Sequence, residues 1–327
     1  MVQRDETTST PEYKDRFEPG YLTLLRSDEL DRRAVVARRH MRDCDLCARY
    51  CRVDRLNSTH GAVCRTGARA VIHSFGAHHG EEDCIRGWRG SGTVFFSWCN
   101  LRCIYCQNRD ISWKGQGEAR TAEDLAGIML NLQAMGAHNI NLVSPSHVVA
   151  QILEALLIAA RGGLSLPLVY NTGGYDSPEA LALLDGVIDI YMPDMKYGDS
   201  DLAHRFSHVR EYVAINRTAI KEMHRQVGDL VIGDDGLAGR GLLVRHLVLP
   251  NGIAGTEDVL SFLAEEVSPN THVNLMDQYR PCYRADERPE LDRPTAAAEF
   301  DEVMEIARRR GITRIDRRLS PGRLARL

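Results

Sequence analysis

From Thr93 to Arg309 the chain alternates short β-rich runs with helical stretches, about six times over, and no other feature restricts its fold as much. Strands that alternate with helices build parallel βαβ units. The runs read as strands are Thr93–Trp98, Ile140–Val143, Leu168–Tyr170, Val187–Met192, Leu242–Leu249 and Val273–Met276. The helix predicted over Thr121–Met135 buries Leu125, Ile128, Met129 and Leu132, with Thr121 as its cap and Glu123-Asp124 in its first turn. Further helices are expected over His147–Ala160, after Pro178, in two stretches up to about Arg225, over Thr256–Glu266 and over Ala296–Arg309. Six units are fewer than the eight of a closed α/β barrel.

In such barrels chemistry gathers at the C-terminal ends of the strands. The first strand runs into Ser97-Trp98-Cys99-Asn100-Leu101-Arg102-Cys103-Ile104-Tyr105-Cys106-Gln107-Asn108. The spacing C-x3-C-x2-C supplies three thiolates where a cubane iron–sulfur cluster has four irons to ligate, so one iron is left open to a small molecule. An electron-transfer ferredoxin closes that position with a fourth cysteine, and a structural zinc site also takes four ligands. The other ends read Val143-Ser144-Pro145-Ser146-His147, Tyr170-Asn171-Thr172-Gly173-Gly174-Tyr175 and Met192-Pro193-Asp194-Met195-Lys196-Tyr197, while Arg245 carries charge inside an apolar run. Asp194 and Lys196, two apart, point to one side of the sheet. Alone, such a pair reads equally well as a rim salt bridge.

The 327 residues carry a net charge of −4, which does not point to nucleic acid as an obligate partner. Residues 1–20 are polar, have no apolar signal core and read as a loose tail. The longest apolar helix candidate, Val148–Ala160, is interrupted by Gln151 and Glu154 and falls short of the ~20 residues of a membrane span. A cytoplasmic protein with no membrane partner is expected. The remaining parts are a helical, cysteine-rich extension over 21–90 opening at Ser27, a core barrel over 91–312, and a tail over 313–327 with Arg317, Arg318, Arg323 and Arg326.

Nine cysteines, an odd number and clustered, suit metal ligation in a reducing compartment better than disulfides. Cys44, Cys47, Cys51 and Cys64 have spacing C-x2-C-x3-C-x12-C, enough for zinc or a second cluster. In one continuous helix Cys44 and Cys51 would lie about 10 Å apart along the axis, too far to share a small metal site. Either the helix ends before Cys47 and the four sulfurs converge, or the first three form a buried stripe. Cys84 and Cys282 read as small buried hydrophobes, and His78-His79-Gly80-Glu81-Glu82 as a solvated turn.

The three-cysteine loop, with the aromatic Tyr105 just before its last cysteine, resembles the radical S-adenosylmethionine (SAM) enzymes. The pairing of Asn-Thr-Gly-Gly with Met-Pro-Asp-Met-Lys is similar to that of pyruvate formate-lyase activating enzymes. The ninety or so residues before the cluster loop and its Cys-Gln-Asn ending resemble the PflX-like branch of that group. The resemblance implies an α/β fold, a partial (β/α)6 TIM-type barrel. It also implies a 4Fe–4S cluster on Cys99, Cys103 and Cys106, and reductive cleavage of SAM to a 5′-deoxyadenosyl radical for hydrogen abstraction. SAM contacts are expected from Tyr105 (stacked on the adenine), Ser144, Asn171, Asp194, Lys196 and Arg245, and a monovalent cation at Thr172, Met192 and Asp194. Ser144-Pro145-Ser146 stands where the activating enzymes carry Gly-Gly-Glu for the SAM amino group. Implied partners are a flavodoxin- or ferredoxin-type electron donor and a protein substrate such as a glycyl radical enzyme. A small-molecule substrate is equally open. The alternative from another class is a non-catalytic iron–sulfur or zinc protein with a structural or electron-transfer role.

Overall fold

The computed structural model describes residues 17–316. Its strands are β1 (Ala70–His78), β2 (Ser91–Phe96), β3 (Glu118–Arg120), β4 (Ile140–Val143), β5 (Leu168–Thr172), β6 (Ile190–Pro193), β7 (Val231–Ile232), β8 (Ala238–Leu247) and β9 (His272–Met276). They join in the order β3-β1-β2-β4-β5-β6-β8-β7, with β9 also pairing on β8. The path β2-β4-β5-β6-β8-β9 is parallel throughout, which gives the six strands expected of the partial barrel. Among the described residues no pairing joins β9 to β1 or β3, so the barrel stays open.

Each parallel strand sends one face outward to the helices and one inward. Leu142, Tyr170, Tyr191 and Val244 pack outward with Ile152, Leu156 and Ile220 in the main core. Burying each such side chain stabilises the fold by roughly 1.5–3 kcal/mol. Inside the barrel, Val169, Ile190, Met192 and Leu243 close on Cys84 and Ile85. Those two belong to the short helix Asp83–Arg86, which plugs the N-terminal end of the barrel. The helix Ala122–Ala134 starts as expected, with Thr121 and Asp124 capping each other reciprocally.

The N-terminal part differs from expectation. Tyr21 is buried in the main core, and the Gly20 N–H donates to Asp189 Oδ1 at 3.0 Å, so this point of the chain is anchored and not a loose tail. Helices Gly20–Arg26 and Glu29–His40 meet at Asp28, which is left-handed (φ 58°), and Ser27 ends the first helix where it was expected to open the second. The stretch 21–90 is also not wholly helical. β1 lies antiparallel on β2 and carries β3 on its other side. At the other end, Ile315 adds a parallel bridge to Val273, which ties the start of the predicted tail to β9. Residues 1–16 and the arginines Arg317, Arg318, Arg323 and Arg326 lie outside the described residues. Among the described residues, no helix is long and apolar enough to cross a membrane.

Candidate active site

After β2, Trp98 takes a left-handed conformation (φ 67°) that turns the chain across the C-terminal end of the barrel. Two backbone bonds then strap the cysteine loop to the end of the helix Ser200–Ser207: Arg102 N to Ser207 O at 3.0 Å and Ile104 N to Phe206 O at 2.9 Å. The Trp113 indole N–H donates to Cys103 O at 3.0 Å, and Leu101 and Ile104 are buried beneath the loop. Cys99, Cys103 and Cys106 are thereby held half-buried and close enough to influence one another's charge.

Each sulfur has a polar hydrogen at hand. Leu101 N–H donates to Cys99 Sγ at 3.4 Å, the Ser207 hydroxyl donates to Cys103 Sγ at 2.9 Å, and the Ser112 hydroxyl lies 3.1 Å from Cys106 Sγ. Burial pushes the Cys103 thiol up to about 12, against the opposing pull of Lys196. Burial likewise raises Cys99, opposed by the Leu101 N–H. Such thiols keep their protons until a metal displaces them. Three soft donors on one loop with hydrogen bonds aimed at sulfur suit an iron–sulfur cluster with an open iron.

Next to this loop stand the tips of β4, β5 and β6. Lys196 Nζ lies 2.5 Å from Asp194 Oδ2, and the pair is largely shielded from solvent. Burial alone would lower the Lys196 pKa, but Asp194 and Cys103 outweigh it and hold the ammonium charged. The Tyr212 hydroxyl accepts from Lys196 N at 3.1 Å and lies 3.0 Å from the Gly173 carbonyl, so it clamps the β6 tip to the β5 tip. Asn216 Nδ2 adds bonds to Gly174 O (2.8 Å) and Asp194 O (3.0 Å). Both glycines have steric reasons to be there. A Cβ on Gly173 would overlap Leu101 of the cysteine loop, and one on Gly174 (φ 72°) would overlap Asn216 and the Asp194 carbonyl. At the β4 tip Ser144 is left-handed (φ 59°), and its N–H donates to Asn171 O at 2.9 Å. Ser144, Asn171, Asp194 and Lys196 are thus brought together on one rim.

Three expected roles meet a different geometry. Tyr105 is 5% exposed, and its ring packs at steep angles against those of Tyr197 and Tyr279, so it is buried where an open ring was expected to stack on the adenine. Its hydroxyl instead lies 2.7 Å from that of Tyr197, which lies 2.7 Å from Ser207 Oγ, and this buried chain ends at the Cys103 sulfur. Arg245 bridges Asp194 at the rim through its backbone, but its side chain turns away from the rim. Inside the barrel it pairs with both carboxylates of the plug, donating to Glu82 at 2.8 and 2.5 Å and also to Glu81. Asn274 Nδ2 completes the set at 2.5 Å from Glu82, whose carboxyl burial would raise but these partners hold at about 2. Of the expected solvated turn, His79 and Gly80 are exposed, whereas the buried Glu81 and Glu82 anchor the plug. His78 Nδ1 lies 3.0 Å from Glu81 Oε1.

The third concerns the cation. Thr172 points to the outer face, where its hydroxyl donates to Asp176 at 2.7 Å and meets Ser146 at 2.8 Å. Met192 packs on the inner face, so the side chains of Thr172, Met192 and Asp194 do not converge. On β2, Phe96 is core, while the half-buried Phe95 meets His78 edge-on.

Among the N-terminal cysteines, the helix ends at His40 and a 3-10 turn ends at Asp43, so no helical stripe forms. Cys44, Cys47 and Cys64 are buried around the guanidinium of Arg55 and act on its charge, whereas Cys51 is more exposed.

A barrel of this topology with three thiols on its first strand-end loop defines an enzyme class that positions a cluster and a small organic cofactor. Residues 93–237 match the Radical SAM superfamily. The chain is 30% identical over 303 residues to the uncharacterized protein MJ0674 of Methanocaldococcus jannaschii, covering 90% of this chain and 82% of that one. The chain belongs to the radical SAM superfamily, whose members bind a 4Fe–4S cluster and SAM. Solved structures with a similar course include HydG, a maturase of the [FeFe]-hydrogenase (TM-score 0.47, 14% identity, 91% of this chain and 59% of that one). Methylornithine synthase PylB (0.44, 14%, 90% and 74%) and Streptococcus suis SuiB bound to SAM (0.43, 14%, 68% and 47%) are also similar. Membership in the superfamily favours the catalytic reading of the cysteine loop over the structural or electron-transfer alternative.

Proposed function

We propose that Cys99, Cys103 and Cys106 ligate the 4Fe–4S cluster and that the β4–β6 rim holds SAM against it, in an activating enzyme that abstracts hydrogen from a partner protein. When bound, the cluster supplies the electron that cleaves SAM reductively to methionine and a 5′-deoxyadenosyl radical. The observation that carries the reading is the Lys196–Asp194 pair set beside the cysteine loop, with Lys196 acting on the charge of both Cys99 and Cys103. A fixed ammonium at this point offers the SAM carboxylate a charge-assisted hydrogen bond. Ser144 and Asn171, on the neighbouring tips, present polar groups to the SAM amine in place of a Gly-Gly-Glu element. The buried Tyr105–Tyr197–Ser207 chain keeps water from the inner side of Cys103.

Anaerobically reconstituted protein reduced with dithionite is expected to convert SAM to 5′-deoxyadenosine, and Cys103→Ala to abolish this. No turnover by protein with an intact, reduced cluster would overturn the proposal. The likeness of Asn171-Thr172-Gly173-Gly174 and Met192-Pro193-Asp194-Met195-Lys196 to the activating enzymes supports a glycine of a partner protein as hydrogen donor. A glycyl EPR doublet on a co-purified partner tests that step, and transfer of deuterium from a carbon-deuterated small molecule into 5′-deoxyadenosine would replace it.

A further inference from the structure

Arg55 is 2% exposed, and its donors are all aimed inward: Nε to Thr66 O at 2.7 Å, Nη2 to His147 O at 2.6 Å and Nη1 to Cys44 Sγ at 3.3 Å. Among the described residues no carboxylate pairs with it, and the groups that raise its pKa against burial are Cys64, Cys44 and Cys47. A buried guanidinium cannot lose its proton, and left uncompensated it costs several kcal/mol. Two carbonyls satisfy its hydrogen bonds but not its charge. The groups placed to carry a negative charge beside it are the sulfurs.

Three neutral thiols would not balance that charge, whereas thiolates bound to metal would, because metal ligation deprotonates cysteine outright. The kind of metal centre follows from spacing. Sulfurs sharing one zinc stand about 4 Å apart, given metal–sulfur bonds near 2.3 Å. Among the described residues no three His, Cys, Asp or Glu side chains are placed to hold a single ion, neither here nor in the Cys99 loop. That disfavours a lone zinc ion and leaves a polynuclear cluster as the centre that three thiolates would ligate. The local backbone is built to hold it. Cys44 N donates to Val53 O and Arg52 N to Cys44 O, both at 3.1 Å, and Tyr50 N closes a turn on Cys47 O at 3.1 Å.

We infer that Cys44, Cys47 and Cys64 ligate a second iron–sulfur cluster, whose negative charge Arg55 neutralises from within the protein. Cys51 is outside the set, because it is not among the sulfurs that act on the Arg55 charge. The site adjoins the cysteine loop: Arg102 donates to Val63 O, next to Cys64, and its charge is acted on by both Cys99 and Cys64. The loops are further joined by Arg49, whose Nε donates to Asn100 O at 2.6 Å.

The test uses the full chain carrying Cys99→Ala, Cys103→Ala and Cys106→Ala, reconstituted anaerobically with ferrous iron and sulfide. Because this variant lacks the first cluster, its outcome is separate from that of the SAM-cleavage experiment. Iron and acid-labile sulfide in near-stoichiometric amount, with a cluster signature in Mössbauer spectra, are expected. Adding Cys44→Ser or Cys64→Ser should remove them, and adding Cys51→Ser should leave them. Circular dichroism matched to the parent keeps a folding failure from being read as lost ligation. Arg55→Lys should retain the cluster, and Arg55→Met should shift its reduction potential downward. Absence of iron and sulfide from the folded triple variant, zinc alone at the site, or loss of iron with Cys51→Ser would each overturn the assignment.

Discussion

The Ser207 hydroxyl donates to Cys103 Sγ across 2.9 Å, and Ser207 is itself held by the Tyr197 hydroxyl at 2.7 Å. A hydrogen bond to a cluster sulfur favours the more negative, reduced state and so raises the reduction potential. Ser207→Ala removes that bond while leaving the backbone strap at Ser207 O intact. A bond worth about 1 kcal/mol corresponds to about 40 mV in a one-electron couple. The cluster of Ser207→Ala is therefore expected to be tens of millivolts harder to reduce in a potentiometric EPR titration, with SAM cleavage slowed several-fold. An unchanged potential would mean that the bond is absent in the holoprotein.

Lys196 pulls the Cys103 thiol down while burial pushes it up to about 12. Lys196→Met removes only the downward pull, so the thiol of the metal-free protein should titrate higher still. Alkylation of Cys103 by iodoacetamide near pH 9, in a variant lacking the other reactive cysteines, should slow relative to its Lys196 parent. The same substitution takes away the ammonium proposed for the SAM carboxylate. The KM for SAM is expected to rise by about tenfold or more, the loss of one charge-assisted hydrogen bond.

Gly174 tests the rim itself. A methyl group there meets Asn216 and the Asp194 carbonyl, and φ 72° adds backbone strain for any other residue. Gly174→Ala is expected to cost about 2 kcal/mol or more in urea unfolding. It should also weaken SAM binding, because the displaced Asp194 carries Lys196 with it. Gly228→Ala, where nothing lies within 4 Å of the added carbon although φ is 73°, isolates the strain and should leave SAM binding alone.

The parallel strands and the cysteine loop were legible because both are local patterns: apolar runs between helical periods, and thiols at fixed spacing. Three features were not legible, and each depends on long-range register. β1 buries little of its length, so its sequence, Ala70–His78, shows no clean alternation. Tyr105 looked available for stacking, but its ring is buried against Tyr197 and Tyr279, distant in sequence. Thr172 and Met192 face opposite sides of the sheet, which requires knowing that Asn171 aligns with Met192. The steric role of Gly173 and Gly174 could be suspected from two adjacent glycines at a strand end, but their partners could not.

Arg245 separates a SAM contact from a strut most directly. It reaches from β8 to Glu81 and Glu82, so Arg245→Met leaves two buried carboxylates without their cation and should destabilise the fold by about 3–5 kcal/mol at pH 7. The pH dependence has a definite sign. In the parent, Glu82 is held at about 2, below its ordinary 4.5, so its contribution is complete above about 4.5 and is lost as pH falls toward 2. Without Arg245 burial is left largely unopposed and raises the Glu82 pKa, so the variant gains relative stability on acidification. Urea unfolding at pH 7 and pH 5 should show the gap between variant and parent narrowing at the lower pH. SAM affinity of the folded variant should stay within a few-fold of the parent. A large loss of SAM binding with unchanged stability would return Arg245 to the cofactor site.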